Sequence, residues 1–308
     1  MSLRTTIASR RLQRVKRSFV SSINLVSFAG FVVAVFQVTT SRVGAHELVT
    51  LAIMYSLTAV GVSVGFHRLF AHRSFKTTRT VQGALAILGS MAAIGPTVSW
   101  VATHRCHHRH SDLEGDPHSP NLAGPRWLDK VRGLWHAHMG WLFNDSLPNS
   151  LVFAKDLLRD PLVSAINRRY VPCVLLGFAI PAVFLGVWQG TWWGAMQGFV
   201  WGGLVRSFLG FHAAGSINSI THAFGRRPFA TREFSRNVAA LALPTFGESW
   251  HNNHHAFPRS ARFGLEWWQI DFGYLVIYAL AALGLAWEVR TPSRGAMDSK
   301  TTHTTAAG

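Results

Sequence analysis

Cysteine is nearly absent, with 2 residues in 308. Two thiols are too few for a disulfide framework or a cysteine-ligated iron–sulfur cluster. Cys106 and Cys173 fall in different kinds of segment, a basic cap and an apolar run, so no disulfide is expected. Acidic residues are also scarce: 14 Asp and Glu stand against 30 Lys and Arg, a net charge of +16. That balance suits nucleic acid or anionic lipid, but no nucleic-acid recognition motif accompanies it, which leaves anionic headgroups as the expected partner. Charge of either sign is missing altogether from residues 18–41, 48–66, 81–103, 170–205 and 272–287. Soluble helices of this length carry a polar face, so an ordinary buried core is excluded for these runs. The first run also lacks a small-residue cleavage pattern and reads as a retained span rather than a signal peptide.

A helix crosses hydrocarbon with about 20 apolar residues. The first two runs each suit one span, and residues 170–205, with Pro181 and the turn-like Trp188, Gln189 and Gly190 near their middle, suit a hairpin. The expected fold is therefore an all-α integral membrane protein. Four transmembrane helices in two hairpins, at about 18–41, 48–66, 170–187 and 191–213, carry a cytoplasmic helical cap. Arg4, Arg10, Arg11, Arg14, Lys16 and Arg17 precede the first span, whereas the next short connection holds only Arg42 as a fixed cation. The positive-inside rule places both termini in the cytoplasm of a bacterial plasma-membrane protein. The run 81–103 is interrupted by Gly89, Gly95 and Pro96 and followed by Arg105 and Arg109, so it is expected to dip into or lie along the membrane, as is 272–287. By domains, 1–17 is a basic cytoplasmic N-terminus, 18–292 a single membrane domain and 293–308 a disordered tail.

What the chain has in quantity is histidine, and half of its 16 stand in three clusters. These are His67 and His72 in HRLFAH, His104, His107 and His108 in HRCHH, and His251, His254 and His255 in HNNHH. Eight imidazoles exceed what one metal ion takes. On a helix, positions i, i+3 and i+4 share a face, so each HxxHH is expected to present three nitrogens to one site. His67 and His72 stand about 140° apart on an α-helix, so a helix end or two neighbouring metals must accommodate them. If 81–103 crossed the bilayer, roughly 30 Å of hydrocarbon would separate the first cluster from the second, which is a second reason to keep that run on one side. Imidazole serves zinc, copper, iron and nickel alike. Many neutral imidazoles beside apolar spans suit a redox-active pair of metals, which zinc cannot be. A haem electron carrier would hold its histidines inside the spans and a metal transporter near the midplane, so no haem is expected.

The order HxxxxH, HxxHH, HxxHH, with the first and third boxes each after a membrane hairpin, resembles the membrane fatty-acyl desaturases. The strings GFHRLFAHRSF (65–75), THRCHHRHSD (103–112), GDPHSP (115–120), WHAHMGWLF (135–143) and GESWHNNHHAFP (247–258) look most like the acyl-CoA delta-9 type, over roughly residues 20–285. The resemblance implies a ninth histidine in an NxxxH pattern, matched by Asn218 and His222. It implies two irons held by His67, His72, His104, His107, His108, His222, His251, His254 and His255, with Asn218 bridging through water. It implies O2 as co-substrate, a cis double bond as product, a fatty-acyl thioester as substrate and an external electron donor, ferredoxin-like or similar. It further implies an acyl tunnel closed by residues of the second span, here Tyr55 and Ala59, with Trp141 and Trp250 as wall residues. Hydroxylation, epoxidation and triple-bond formation on the same scaffold, and desaturation of a chain held on acyl-carrier protein or lipid instead of coenzyme A, remain open alternatives.

Around these, His136 and His138 are expected not to ligate, and His46, His212 and His303 to be ordinary. Asp112 and Asp116 are expected to orient ligand imidazoles. Arg68, Arg105, Arg126, Lys130 and Arg132 are cations available to a phosphate-bearing carrier. Residues 121–133, NLAGPRWLDKVRG, are extra to the resembling pattern, so no carrier contact is transferred to them.

Overall fold

The computed structural model describes residues 4–302; His303 and the remaining tail lie outside the described residues. The elements are almost all helical, with only two-residue ladders pairing β1 (Thr6–Ile7) with β3 (Leu147–Pro148) and β2 (Lys76–Thr77) with β4 (Ala286–Trp287). The chain divides into two compact units, one of residues 1–66, 79–103 and 142–212, the other of residues 67–78, 104–141 and 213–308.

The first unit holds the apolar runs. α1 (Arg10–Thr39), the helical stretch Ala45–Ala71 that begins as α2 (Ala45–Val60), and a third helix, Tyr170–Gln189, are long and apolar enough to cross a membrane. Their outward residues are ones water would not tolerate in such number: Leu25, Phe36, Leu175, Val183 and Val187 are all exposed. The run 81–103 breaks into α3 (Arg79–Met91) and α4 (Thr97–His110), with positive φ at Ala93 and Gly95 between them. Neither piece is long enough to span hydrocarbon on its own. α3 packs backbone to backbone on the second stretch, where a Cβ on Gly61 would come 2.1 Å from the amide of Gly89. After α5 (Trp127–His138) and the short α6 (Ser150–Phe153), α7 (Lys155–Arg159) and α8 (Pro161–Arg168), the hairpin turns at Gly190, which ends α9 (Tyr170–Gln189) in the left-handed conformation. Pro181 lies inside α9 rather than at the turn. The expected fourth span, 191–213, runs as α10 (Trp192–Gly198), a π-helical turn Phe199–Val205 and α11 (Arg206–Ser219).

Two sets of polar side chains buried within this apolar unit are paired. Gln37 bonds Gln197 and the Trp201 indole at 2.8 Å each, beside a cluster of Ala34, Trp201 and Val205. Arg206, buried, donates to the carbonyls of Met91, Gly202 and Gly177. Unpaired, such groups would each cost several kcal/mol in hydrocarbon.

The second unit gathers the histidine boxes, α5, α12 (His251–Ala256), α13 (Phe272–Ala282) and α14 (Arg294–Asp298). The tail, expected to be disordered from 293, is ordered as far as Thr302. Ser293 caps α14 by accepting from the Ala296 amide, and Thr302 donates to the Pro228 carbonyl. A capped helix and a backbone bridge offset the entropy of a polar tail, which composition alone does not reveal.

Candidate metal centre

The HRLFAH box leaves α2 through a π-helix, Gly61–Ala71, in which the His72 amide donates to the His67 carbonyl at 3.1 Å. An i→i+5 turn stacks residues five apart. That removes the 140° separation an α-helix would impose, and the two rings lie 4.9 Å apart. The five-residue spacing is thus the spacing of a π-turn.

All nine expected histidines meet within the second unit, and they divide. His67, His72, His104, His108 and His254 bring one ligand atom each within 4.8 Å of one another, as do His107, His222, His251 and His255. The Nε2 atoms face inward: His72 to His104 is 2.7 Å, His108 to His254 2.9 Å, and His67 to His254 and His222 to His251 3.0 Å. The expectation that each HxxHH serves one site is therefore corrected. The i, i+4 pairs His104 with His108 and His251 with His255 stay together, but the histidine beside the second member of each, His107 or His254, is turned about 100° away and joins the other set. Each HxxHH box contributes to both groups, whereas His67 and His72 both join the first, so neither group forms without two distant segments of chain.

Behind the imidazoles stand carboxylates. The Nδ1 of His67 donates to Glu248, that of His107 to Asp116 at 2.9 Å, and that of His222 to Asp112 at 2.9 Å; Glu233 lies 3.6 Å from His255 Nδ1. A proton held on Nδ1 leaves the Nε2 lone pair facing the cluster, the arrangement a metal-binding imidazole needs. Asp112 and Asp116 thus have the expected role, and Glu248 and Glu233 share it. The carboxylates are themselves held: Asp112 accepts from Ser119, Asn121 Nδ2 and the Phe234 amide, and Asp116 from the amides of Asp112 and His118. Burial alone would raise both aspartates, but His222 against Asp112 and His107 against Asp116 pull them well below the usual carboxylate range.

Burial first, and neighbouring imidazoles second, lower His72, His104, His108, His251, His254 and His255 well below an ordinary imidazole. They are neutral at neutral pH, the form that coordinates. For His107 burial acts downward too, but Asp116 outweighs it and the net shift is upward. The Nε2 atoms of His107 and His255 are buried with no partner among the described residues. Orphaned buried nitrogens inside rings of neutral donors fit cations, and imidazole sets of five and four fit two transition-metal ions such as iron.

The remaining expected residues scatter. Asn218 lies on α11 four residues before His222, and its side chain makes no hydrogen bond among the described residues. His138 bonds Ser219 at 3.0 Å, and His136 joins neither set. His118, pushed down to about 3 by burial and then by His107, lies tilted against His107 with ring centroids 4.4 Å apart and meets Trp141 edge to face at 5.3 Å. Trp250 is buried against Ala242 and Phe263, its indole donating to the Ile270 carbonyl, directly before His251. Tyr55 and Ala59 are half-buried on α2 in the first unit. Cys106 is a buried filler whose thiol is pushed up to about 11, by burial first and Asp116 second.

Arg68 corrects another expectation. Taken as a carrier-binding cation, it is 0% exposed, paired to Glu248 at 3.1 Å and Asp271 at 2.8 Å, with its guanidinium 4.0 Å over the Phe263 ring. It braces the glutamate that braces His67. Arg105 is likewise engaged, by the carbonyls of Phe70 and Ala71. Glu248, Glu233 and Asp271 escaped the sequence reading because single acids at no fixed spacing from their partners leave no local pattern; Glu248 alone carried a hint, three residues before His251.

Compared with known proteins, residues 45–287 match the model of the family described as "Fatty acid desaturase". The chain is 49% identical over 279 residues to a "Hex-5-enoyl-[acyl-carrier protein] acetylenase" of Moorena producens, covering 90% of this chain and 87% of that one. It is 35% identical to an "sn-1 stearoyl-lipid 9-desaturase" of Anabaena variabilis, covering 87% and 93%. It is 38% identical to an "Acyl-CoA C20 Delta5-desaturase" of Anemone leveillei, covering 78% and 72%.

Proposed function

The chain belongs to the fatty acid desaturase family, and on that premise we propose that it is an O2-dependent membrane oxidoreductase that places unsaturation in a fatty-acyl chain at a centre of two irons. The division of nine imidazoles into sets of five and four, backed by carboxylates, carries the reading. His67, His72, His104, His108 and His254 hold one iron and His107, His222, His251 and His255 the other, with Asn218 acting through water. When bound, the metals supply the oxidising power for removing hydrogen from an unactivated alkyl chain, which side chains lack. The chain's own part is to bury the imidazoles, to fix the tautomers of His67, His107 and His222 through Glu248, Asp116 and Asp112, and to hold the set in an enclosed setting. Electrons come from an external ferredoxin-like donor.

The topology we infer has four spans, with both termini and the histidine cap in the cytoplasm. It is supported by the cations of the N-terminus and by the break between α3 and α4. The substrate is taken as an acyl thioester, with a cis double bond near delta-9 as product and Tyr55, Ala59, Trp141 and Trp250 lining the acyl path. A second reading, triple-bond formation on a chain held by an acyl-carrier protein, is favoured by the 49% identity to a relative so named.

The test is reconstitution in lipid nanodiscs with iron, a reduced ferredoxin, and saturated or mono-unsaturated acyl groups on coenzyme A or on carrier protein. Products are mapped by mass spectrometry. A new double or triple bond, with His107→Ala inactive, supports the reading. An oxygenated product, or activity surviving in that variant, sinks it.

A further inference from the structure

Among the cavities of the second unit, one of about 1070 Å3 is set apart by its charge. Arg109, Arg232, Arg259 and Arg290 line it, and among the described residues none of the four forms a salt bridge. Its one lining carboxylate, Glu233, is buried and turned to His255. The four cations come from separate stretches of chain, and all are exposed. Exposed cations without acidic partners suit the acidic surface of another protein.

His72, His108 and His255 also line this basin; His72 and His108 are partly exposed residues, while the His255 side chain is buried. They come from both sets, so both sets border the basin. One wall is the C-terminal segment: the Lys300 ammonium donates to the Ala256 carbonyl at 2.6 Å, and the Lys300 carbonyl accepts from the Ala230 amide. Arg290 and Lys300 lie beyond the residues that the family model matches.

We propose that the basin is the docking surface of an acidic one-electron donor protein, which presents its redox group to the edges of His72 and His108. This rests on the di-metal reading above. The chain carries no group of its own from which electrons could come: its two cysteines are too few for a cluster. In each encounter the reduced donor would give up one electron and leave oxidised; two encounters would supply two electrons, which with two protons from water, O2 and the two hydrogens removed from the acyl chain balance to two waters and one new carbon–carbon π bond. Opposite charge steers such an encounter and makes it sensitive to salt.

The experiment uses the full chain in nanodiscs of zwitterionic lipid and an acidic [2Fe–2S] ferredoxin as probe. Binding is read by biolayer interferometry over a salt series, with and without metal, and ferredoxin reoxidation by stopped flow. Arg232→Glu combined with Arg259→Glu is expected to weaken ferredoxin binding about tenfold or more at low salt and to flatten the salt dependence. It should raise KM for ferredoxin while leaving kcat at saturating donor and KM for the acyl substrate unchanged. Arg232→Lys with Arg259→Lys should restore binding, which separates charge from misfolding. Ferredoxin affinity unchanged in the Glu variant overturns the proposal, as does a rise in acyl-substrate KM alone, which would assign the basin to the acyl carrier. Normal ferredoxin binding without any unsaturated product would count against the enzymatic reading and leave the docking surface standing.

Discussion

Asp112 accepts the Nδ1 proton of His222 at 2.9 Å across 110 residues of chain, and in doing so turns the Nε2 of His222 toward His251. The ninth histidine is therefore fixed by the loop that follows the second box. Asp112→Asn keeps the shape and removes the charge. It is expected to weaken metal held by the His107, His222, His251 and His255 set by about 10- to 100-fold. Chelator competition followed by iron analysis reads this, and equal retention in both proteins would sink the assignment.

The five-and-four division makes a separate demand. His72→Ala and His251→Ala each damage one set, so each variant should retain close to one of two metals. Metal per chain, measured by plasma mass spectrometry, decides; loss of both ions in both variants would mean that the sets are not independent.

Arg68 is placed here as a brace. Arg68→Ala leaves Glu248 and Asp271 buried without their cation and should cost about 3–5 kcal/mol. Thermal unfolding in detergent should show a large fall in Tm. A variant with native Tm and a raised KM for acyl thioester would return Arg68 to carrier binding.

Acid should destabilise the metal-free protein. His251 and His254 sit far below the ordinary 6.5, through burial first and neighbouring imidazoles second. A group whose pKa is lower folded than unfolded takes its proton readily only after unfolding. Its stabilisation is thus full above the unfolded value near 6.5 and drains away as pH falls below it. After chelation, Tm should decline between about pH 7 and pH 5, and His254→Gln should shallow that slope. A flat profile would contradict the buried neutral cluster.

Tyr55→Ala tests the acyl path. The variant should accept longer chains than the wild type while keeping its iron content. An unchanged chain-length profile by gas chromatography would remove Tyr55 from the path.

Much of this was legible in the chain, and the limits are physical. The apolar runs announced helices, and their glycine and proline interruptions foretold the break at Gly95, because hydrophobicity and backbone propensity are local. All nine histidines were found through spacing and family likeness. What spacing got wrong was winding: the first box needed a π-turn, and its stabilising contact, Gly61 against Gly89, lies far along the chain. The mixing of boxes between the two sets was hidden for the same reason, since the facing direction of His107 or His254 depends on partners more than 100 residues away. Arg68 was misread because an arginine beside a ligand looks the same whether it faces solvent or Asp271.

Arg206 sets an order of assembly. Its guanidinium is satisfied by carbonyls of Met91 and Gly177 as well as by its own helix. Left alone in lipid, the segment that carries it would expose an arginine at a cost of at least about 2.5 kcal/mol. During synthesis that segment is the last of the long apolar runs before the third histidine box, so its acceptors are made first. The earlier apolar elements thus act as a receptor for it, and glycosylation mapping of truncated chains should find it inserting poorly when residues 79–103 are deleted. On the four-span topology proposed above, the segment that carries Arg206 would be admitted to the bilayer by the apolar elements before it.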